Sequence, residues 1–328
     1  MAAVSVRVRD AATVLLVRDP PGREGRVRAS GADQAGLEVF LVRRTLDAAF
    51  IGGAYVFPGG AVDPGDREVG LEEVCEGRTD AQASVLLDLE SGGLAFWVAA
   101  VRECFEEAGV LLAYRRPGEL VSMDDPAVAA RFARYRGDLD AGRLRLVDVC
   151  RQEGLRLAVD RLHYWARWIT PEGPPRRFDT RFFVARAPAG QVPLHDDRET
   201  IDNLWASPAG ALAQHRAGGL DLIVPTIKNL EAISQRSCVA DLLEAAAARE
   251  EVPAIQPRVV ADGDGIRVVL PGDPDYERAA SEEPLPPGSP LPGRPGGPGW
   301  SSRSVPGLTP DVEDEASGAG GGEDAPGG

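Results

Sequence analysis

Lysine is nearly missing from this chain: Lys228 is the only one, so almost every positive charge is carried by arginine, a bias of GC-rich coding and not a functional signal. Cysteine is also scarce. Cys75, Cys104, Cys150 and Cys238 lie far apart with no C-x-x-C spacing, which excludes a disulfide framework and a thiolate zinc site. The three histidines, His163, His195 and His215, are not paired at metal-ligand spacing, so structural or surface roles are favoured for them; only His195 stands beside other candidate residues. No run of about 18 apolar residues is present, and the first residues lack the positive start, apolar centre and cleavage site of an export signal. The chain is predicted to be soluble, cytoplasmic and independent of membranes. Excess positive charge is absent too: the net charge of −15 argues against nonspecific binding to nucleic acid.

What is present is enough apolar material, 43% of 328 residues, for a sizeable core. From about Pro271 the composition turns to Pro, Gly, Ser and acids, with twelve prolines in the last 58 residues. Such a segment buries too little apolar surface to offset its ordering entropy. The sequence therefore predicts a folded domain over 1–255, an appended hairpin over 256–272 and a disordered tail over 273–328, whose removal should cost little. Trp300 within that tail is a bystander or a short binding element.

The most informative stretch is Arg102-Glu103-Cys104-Phe105-Glu106-Glu107-Ala108-Gly109-Val110. On a helical wheel with Glu103 at zero, Glu107 falls near about +40° and Glu106 near about −60°, so the three acids share a face. Leu94, Val98, Val101, Phe105 and Ala108 fall on the opposite side. Like charges three and four residues apart are mutually destabilising, and Arg102 offsets only part of that. Either the face is simply solvated or it holds a divalent cation. Cys104 reads as a packed small residue, and Gly109 as the left-handed residue that ends the helix.

Upstream, Gly59-Gly60-Ala61-Val62-Asp63-Pro64-Gly65-Asp66 follows the apolar run 54–58. Taken with 102–110, this resembles the box of the Nudix superfamily, G-x5-E-x7-R-E-U-x-E-E-x-G-U with U a bulky apolar residue. The second half fits at every position once Cys104 counts as U. In the first half Asp66 stands in place of glutamate, and 35 residues instead of seven separate it from Arg102. A box interrupted in this way is similar to one Nudix branch, the peroxisomal coenzyme A diphosphatases and their bacterial relatives. The strand 12–18, the segments 39–45 and 56–60, Trp168-Ile169-Thr170-Pro171 and 177–183 resemble that branch in order and content. The resemblance implies an α/β/α sandwich with a mixed sheet, an insertion over 67–93 inside the box, and hydrolysis of an X-linked nucleoside diphosphate with Mg2+ or Mn2+ as cofactor. It further implies Glu103, Glu106 and Glu107 as metal ligands, Arg102 as the residue orienting one of them, and coenzyme A or acyl-coenzyme A as substrate.

Apolar, β-branched runs predict strands over 11–18, 37–43, 54–57, 162–170, 178–187 and 202–205, with helices over 80–89, 94–108 and 126–142. Asp80 is a candidate N-cap, Pro58-Gly59-Gly60 a turn, Ser207-Pro208 a helix start, and Pro225 the start of a helical stretch with a break near Ser237. A diphosphatase needs one more carboxylate as base or ligand. Glu199 is the first candidate, Asp196 and Asp197 are competitors, and an exposed acidic loop is the alternative. Arg43, Arg44, Arg176, Arg177 and Arg181 are candidates for phosphate contacts, with Gly59 and Gly60 close to the ligand, although arginines at strand ends are also ordinary surface residues. Open alternatives are a nucleotide-sugar, dinucleotide or oxidised-nucleotide diphosphatase, and a nucleotide-sensing module without turnover. The partner expected is a small diphosphate, and a second copy of the chain is left open.

Overall fold

The apolar run Val14–Val17 becomes a strand buried on both faces, because side chains alternate and helices cover each side. In the computed structural model, which describes residues 6–22, 36–46, 52–262, 265–279, 305 and 308, this run belongs to β1 (Val8–Arg18). After it come β2 (Glu38–Arg44), β3 (Tyr55–Val56), β4 (Gly59–Ala61), α1 (Asp80–Leu87), α2 (Leu94–Ala108), β5 (Ala113–Arg116) and β6 (Glu119–Leu120). Next are α3 (Pro126–Asp140), α4 (Leu146–Glu153), β7 (Arg156–Leu157), β8 (His163–Ile169), β9 (Arg177–Arg186) and β10 (Thr200–Ala206). The chain continues with α5 (Pro208–Arg216), α6 (Val224–Ile233), α7 (Val239–Ala247), β11 (Ala254–Ile255), β12 (Arg258–Asp262), β13 (Gly265–Val269) and α8 (Tyr276–Ala279).

The main sheet runs β10-β2-β1-β9-β8-β11, with β3 added beside β2 and β4 beside β1. It is mixed: β1 and β9 are parallel from Val8↔Arg177 to Val17↔Arg186, whereas β1 and β2 are antiparallel. Ala12, Val14 and Leu16 pack under the helices α1 to α4, while Leu15 and Val17 face α5, α6 and α7. The result is an α/β/α sandwich. Helix α2 is the centre of the first layer, with Trp97 donating to the Leu162 carbonyl at 3.0 Å and packing at a tilt against the Phe183 ring.

Several local readings need correction. Thr79, not Asp80, caps α1, in a reciprocal capping box with Gln82. The Asp80 carboxylate instead accepts from the Gly92 and Leu94 amides and ties α1 to the start of α2. Gly59-Gly60 is no turn but the strand β4, in register with Thr13 and Ala12. The small sheet β6-β5-β7 and helix α4 had no counterpart in the sequence reading. The insertion packs into the domain, with Leu71, Val74, Cys75, Ala83 and Leu87 part of the first core.

β12 and β13 form a separate antiparallel pair. Beyond them, three places within the segment read as a tail are described. Residues 276–279 form a helical turn, and Val305 and Leu308 are buried in the second core, where Arg249 lies over the Trp165 ring and donates to the Leu308 carbonyl. The remainder of the tail, with Trp300, lies outside the described residues. Deleting 280–328 should therefore lower the melting temperature, since full burial of a valine or leucine contributes about 1.5–3 kcal/mol each; a thermal melt of the shortened chain that matches the full one would show these contacts to be inert.

Candidate active site

The two halves of the interrupted box meet through Arg102. A 3₁₀ turn over Pro64–Arg67, started by Asp63, presents Asp66, which is 1% exposed. Arg102 Nε donates to Asp66 Oδ1 at 2.9 Å and Nη2 to Oδ2 at 2.8 Å, a two-pronged pair across 36 positions. The remaining guanidinium hydrogens go to the Ala61 carbonyl at 2.8 Å, Glu103 Oε1 at 2.9 Å and Glu106 Oε2 at 2.8 Å. All five donors of this arginine are used. Burial alone would weaken the cation, but the Asp66 hydrogen bond and the charges of Glu103, Asp66 and Glu106 hold its proton more tightly than in free arginine. Asp66 is thus no defect in the pattern: a shorter acid serves because the turn brings it close.

Glu107 is turned inward, 4% exposed, and its Oε2 accepts from the Gly59 amide at 2.9 Å. Burial pushes its carboxyl up to about 8, with the Gly59 amide and Arg44 opposing and Glu199 and Asp196 adding to the rise. Glu103 is held well above the carboxylate range by burial, Arg102 opposing and its two acidic neighbours adding, and Glu106 is raised mainly by burial. Glycine is required in β4 for closeness and not for backbone freedom. A Cβ at Gly59 would stand 2.6 Å from the Ala12 carbonyl oxygen, and one at Gly60 would stand 2.5 Å from the Glu103 carboxylate. Gly60→Ala should therefore displace Glu103 and cut turnover on the order of 10²-fold, with the melt little changed; steady-state rates and a thermal melt on the same sample check both halves.

Helix α2 ends at Gly109, whose φ of 69° fits the left-handed cap. Its last carbonyls are held by Arg136 of α3, which donates to Glu106 O at 2.8 Å, Glu107 O at 3.0 Å and, across the gap, Leu194 O at 2.9 Å. That third bond fastens the 191–199 loop to the acid helix. Asp196 is spent within this loop, accepting from Thr200, Glu199 and Arg198; burial would raise its carboxyl, and those bonds, led by Thr200, bring it below the usual range. Asp197 bonds His195, whose other ring nitrogen meets Asn203.

Glu103, Glu106, Glu107, Glu199 and Asp196 line one cavity of about 580 Å3 with Gly59, Gly60, Arg44, Arg9 and Arg176. Arg102 lines it as well, whereas Arg43, Arg177 and Arg181 lie outside its lining. Arg43 donates to the Gly53 carbonyl, Arg177 to the Thr170 carbonyl, and Arg181, 1% exposed, pairs with Asp179 at 2.7 Å beneath the Phe96 ring. Strand alternation explains the division: Phe178, Thr180 and Phe182 of β9 face the cavity, and the odd-numbered residues face the other way. Arg9 and Arg136 were not found from sequence. The alternation Arg9-Ala11-Thr13 was a signal for the first, whereas nothing local marked the second.

No group of three or more His, Cys, Asp or Glu side chains among the described residues is gathered tightly enough to hold a metal ion. The donor chemistry nevertheless fits a hard divalent cation: Glu103, Glu106, Glu107 and Glu199 offer oxygen ligands only and line one cavity.

Residues 86–233 match a family model described as the NUDT19 Nudix domain. The human acyl-coenzyme A diphosphatase NUDT19 is 27% identical over 282 residues, covering 74% of this chain and 72% of the relative. Its Gallus gallus counterpart is 27% identical over 311 residues, covering 82% and 81%. Among solved structures, a NUDIX hydrolase from Alicyclobacillus acidocaldarius aligns at a TM-score of 0.55 and 27% identity, covering 73% of this chain and 96% of that one. With the sandwich, the joined box and the acid-lined cavity, these likenesses make the chain similar to the Nudix hydrolases. Within that superfamily it is similar to the acyl-coenzyme A diphosphatases.

Proposed function

We propose that the chain hydrolyses coenzyme A or acyl-coenzyme A at its pyrophosphate, giving a 4′-phosphopantetheine product and adenosine 3′,5′-bisphosphate, with Mg2+ or Mn2+ held by Glu103, Glu106 and Glu107. The observation that carries this reading is that these acids and Glu199 share one cavity with Arg44, whose buried Nε has no hydrogen-bond partner among the described residues. The bound cation supplies charge neutralisation on the phosphoryl oxygens. Arg44 binds a non-bridging oxygen of the diphosphate and orients it. Glu199, whose side chain has no hydrogen-bond partner among the described residues, takes the proton from the attacking water as a new P–O bond forms and the bridging P–O bond breaks. Gly59 and its hydrogen bond fix the Glu107 carboxylate, and Arg102 fixes those of Glu103 and Glu106.

The purified protein with magnesium, offered coenzyme A, ADP-ribose, NADH and nucleoside triphosphates side by side, tests the reading by mass spectrometry of products. Coenzyme A should be turned over fastest, to the two products above. Faster cleavage of another diphosphate reassigns the substrate, and no turnover on any of them favours a sensing module.

A further inference from the structure

The cavity has a second positive end that the cleavage chemistry leaves unused. Arg9 on β1 and Arg176 at the entry to β9 both line it, both are exposed, and neither has an ion-pair partner among the described residues. The carboxylates nearest in sequence are already engaged: Asp10 with Arg67, and Asp179 with Arg167 and Arg181. Alternation sends those acids to the opposite side of the sheet. Arg9 is in register with Phe178, and Arg176 is two residues before Phe178, so both arginines share a face with an aromatic ring that also lines the cavity. Thr13 marks the acid end, being paired with Gly59, which binds Glu107. Arg9 stands four strand residues before Thr13, a separation of roughly 13 Å along β1.

We infer that Arg9 and Arg176 form a subsite for a second phosphate, a monoester on the nucleoside part of the substrate, separate from the diphosphate that is cleaved. The inference rests on the diphosphatase reading above and adds the substrate's recognised feature. Two guanidiniums without an ion-pair partner among the described residues attract a dianion, and Phe178, Trp168 and Ile169, which line the same cavity, suit a base and ribose. A substrate with only the bridging diphosphate would leave this end empty. Specificity then comes from the missing contact and not from the chemistry at the cleaved bond.

Calorimetric binding of adenosine 3′,5′-bisphosphate and adenosine 5′-monophosphate to the full chain tests this without any turnover. The bisphosphate should bind the wild type at least tenfold more tightly, and Arg9→Gln with Arg176→Gln should erase that difference while leaving the monophosphate unchanged. Equal affinity in the wild type, or equal loss for both nucleotides in the variant, overturns the subsite. The same variant, assayed on coenzyme A and 3′-dephospho-coenzyme A, should lose activity on the first alone. If the binding difference holds but neither compound is hydrolysed, the subsite stands and the coenzyme A reading falls.

Discussion

Glutamine at both 106 and 107 should cut magnesium-dependent hydrolysis by roughly three orders of magnitude, or ~4 kcal/mol of barrier, in a protein that still folds. The amide keeps the shape of the carboxylate, accepts from Arg102 and from the Gly59 amide as before, and removes only the charge that a cation needs. Stability should move the other way. Burial holds the Glu107 carboxyl up to about 8, so the folded metal-free chain resists ionising it as pH rises from the unfolded carboxylate range toward that value. At pH 8 without metal, the doubly substituted protein should therefore melt no lower than the wild type, and higher if the repulsion among the acids is appreciable. Initial rates with magnesium and thermal melts without it measure the two effects, and an unchanged rate would remove the metal assignment altogether.

The second large effect is on stability. Asp66→Ala leaves Arg102 buried with its two-pronged partner gone, and removing one member of such a pair costs about 3–5 kcal/mol. Asp66→Asn keeps an acceptor and should cost less. Because Arg102 also holds Glu103 and Glu106, the alanine variant should lose activity even at temperatures where it remains folded. Urea unfolding of the three proteins, with rates on the folded fraction, gives the order wild type, Asn, Ala in both readouts; equal midpoints for wild type and alanine would show that the pair is not what joins the two halves.

Local chemistry made much of this fold legible. The strands came from β-branched runs, the start of α5 from Ser207-Pro208, and the end of α2 from Gly109. The acid face of α2 followed from helical spacing alone, which left open a solvated face or one holding a cation and did not show that the fold covers Glu107. What stayed hidden depends on partners distant in sequence. Asp66 looked like a departure until the turn over 64–67 set it against Arg102, and Arg136 has no mark of function until α3 lies across the end of α2. Arg181 misled for the opposite reason: a basic residue in an apolar strand suggested a ligand contact, but its parity on β9 points it at Phe96 and Asp179. The burial of Val305 and Leu308 was invisible to composition, which averages over a whole segment.

The union of Asp66 with Arg102 also bears on how long the detour between them can be. Lengthening a flexible connection from seven residues to 35 raises its closure cost by only about 1.4 kcal/mol, less than the roughly 3–5 kcal/mol lost when one member of a buried pair is left without the other. Once the two feet are clamped, the path that joins them is nearly free to grow, provided it finds packing of its own, as Leu71, Val74 and Leu87 do. The catalytic signature of this chain is accordingly kept in space while its contiguity along the polypeptide is given up.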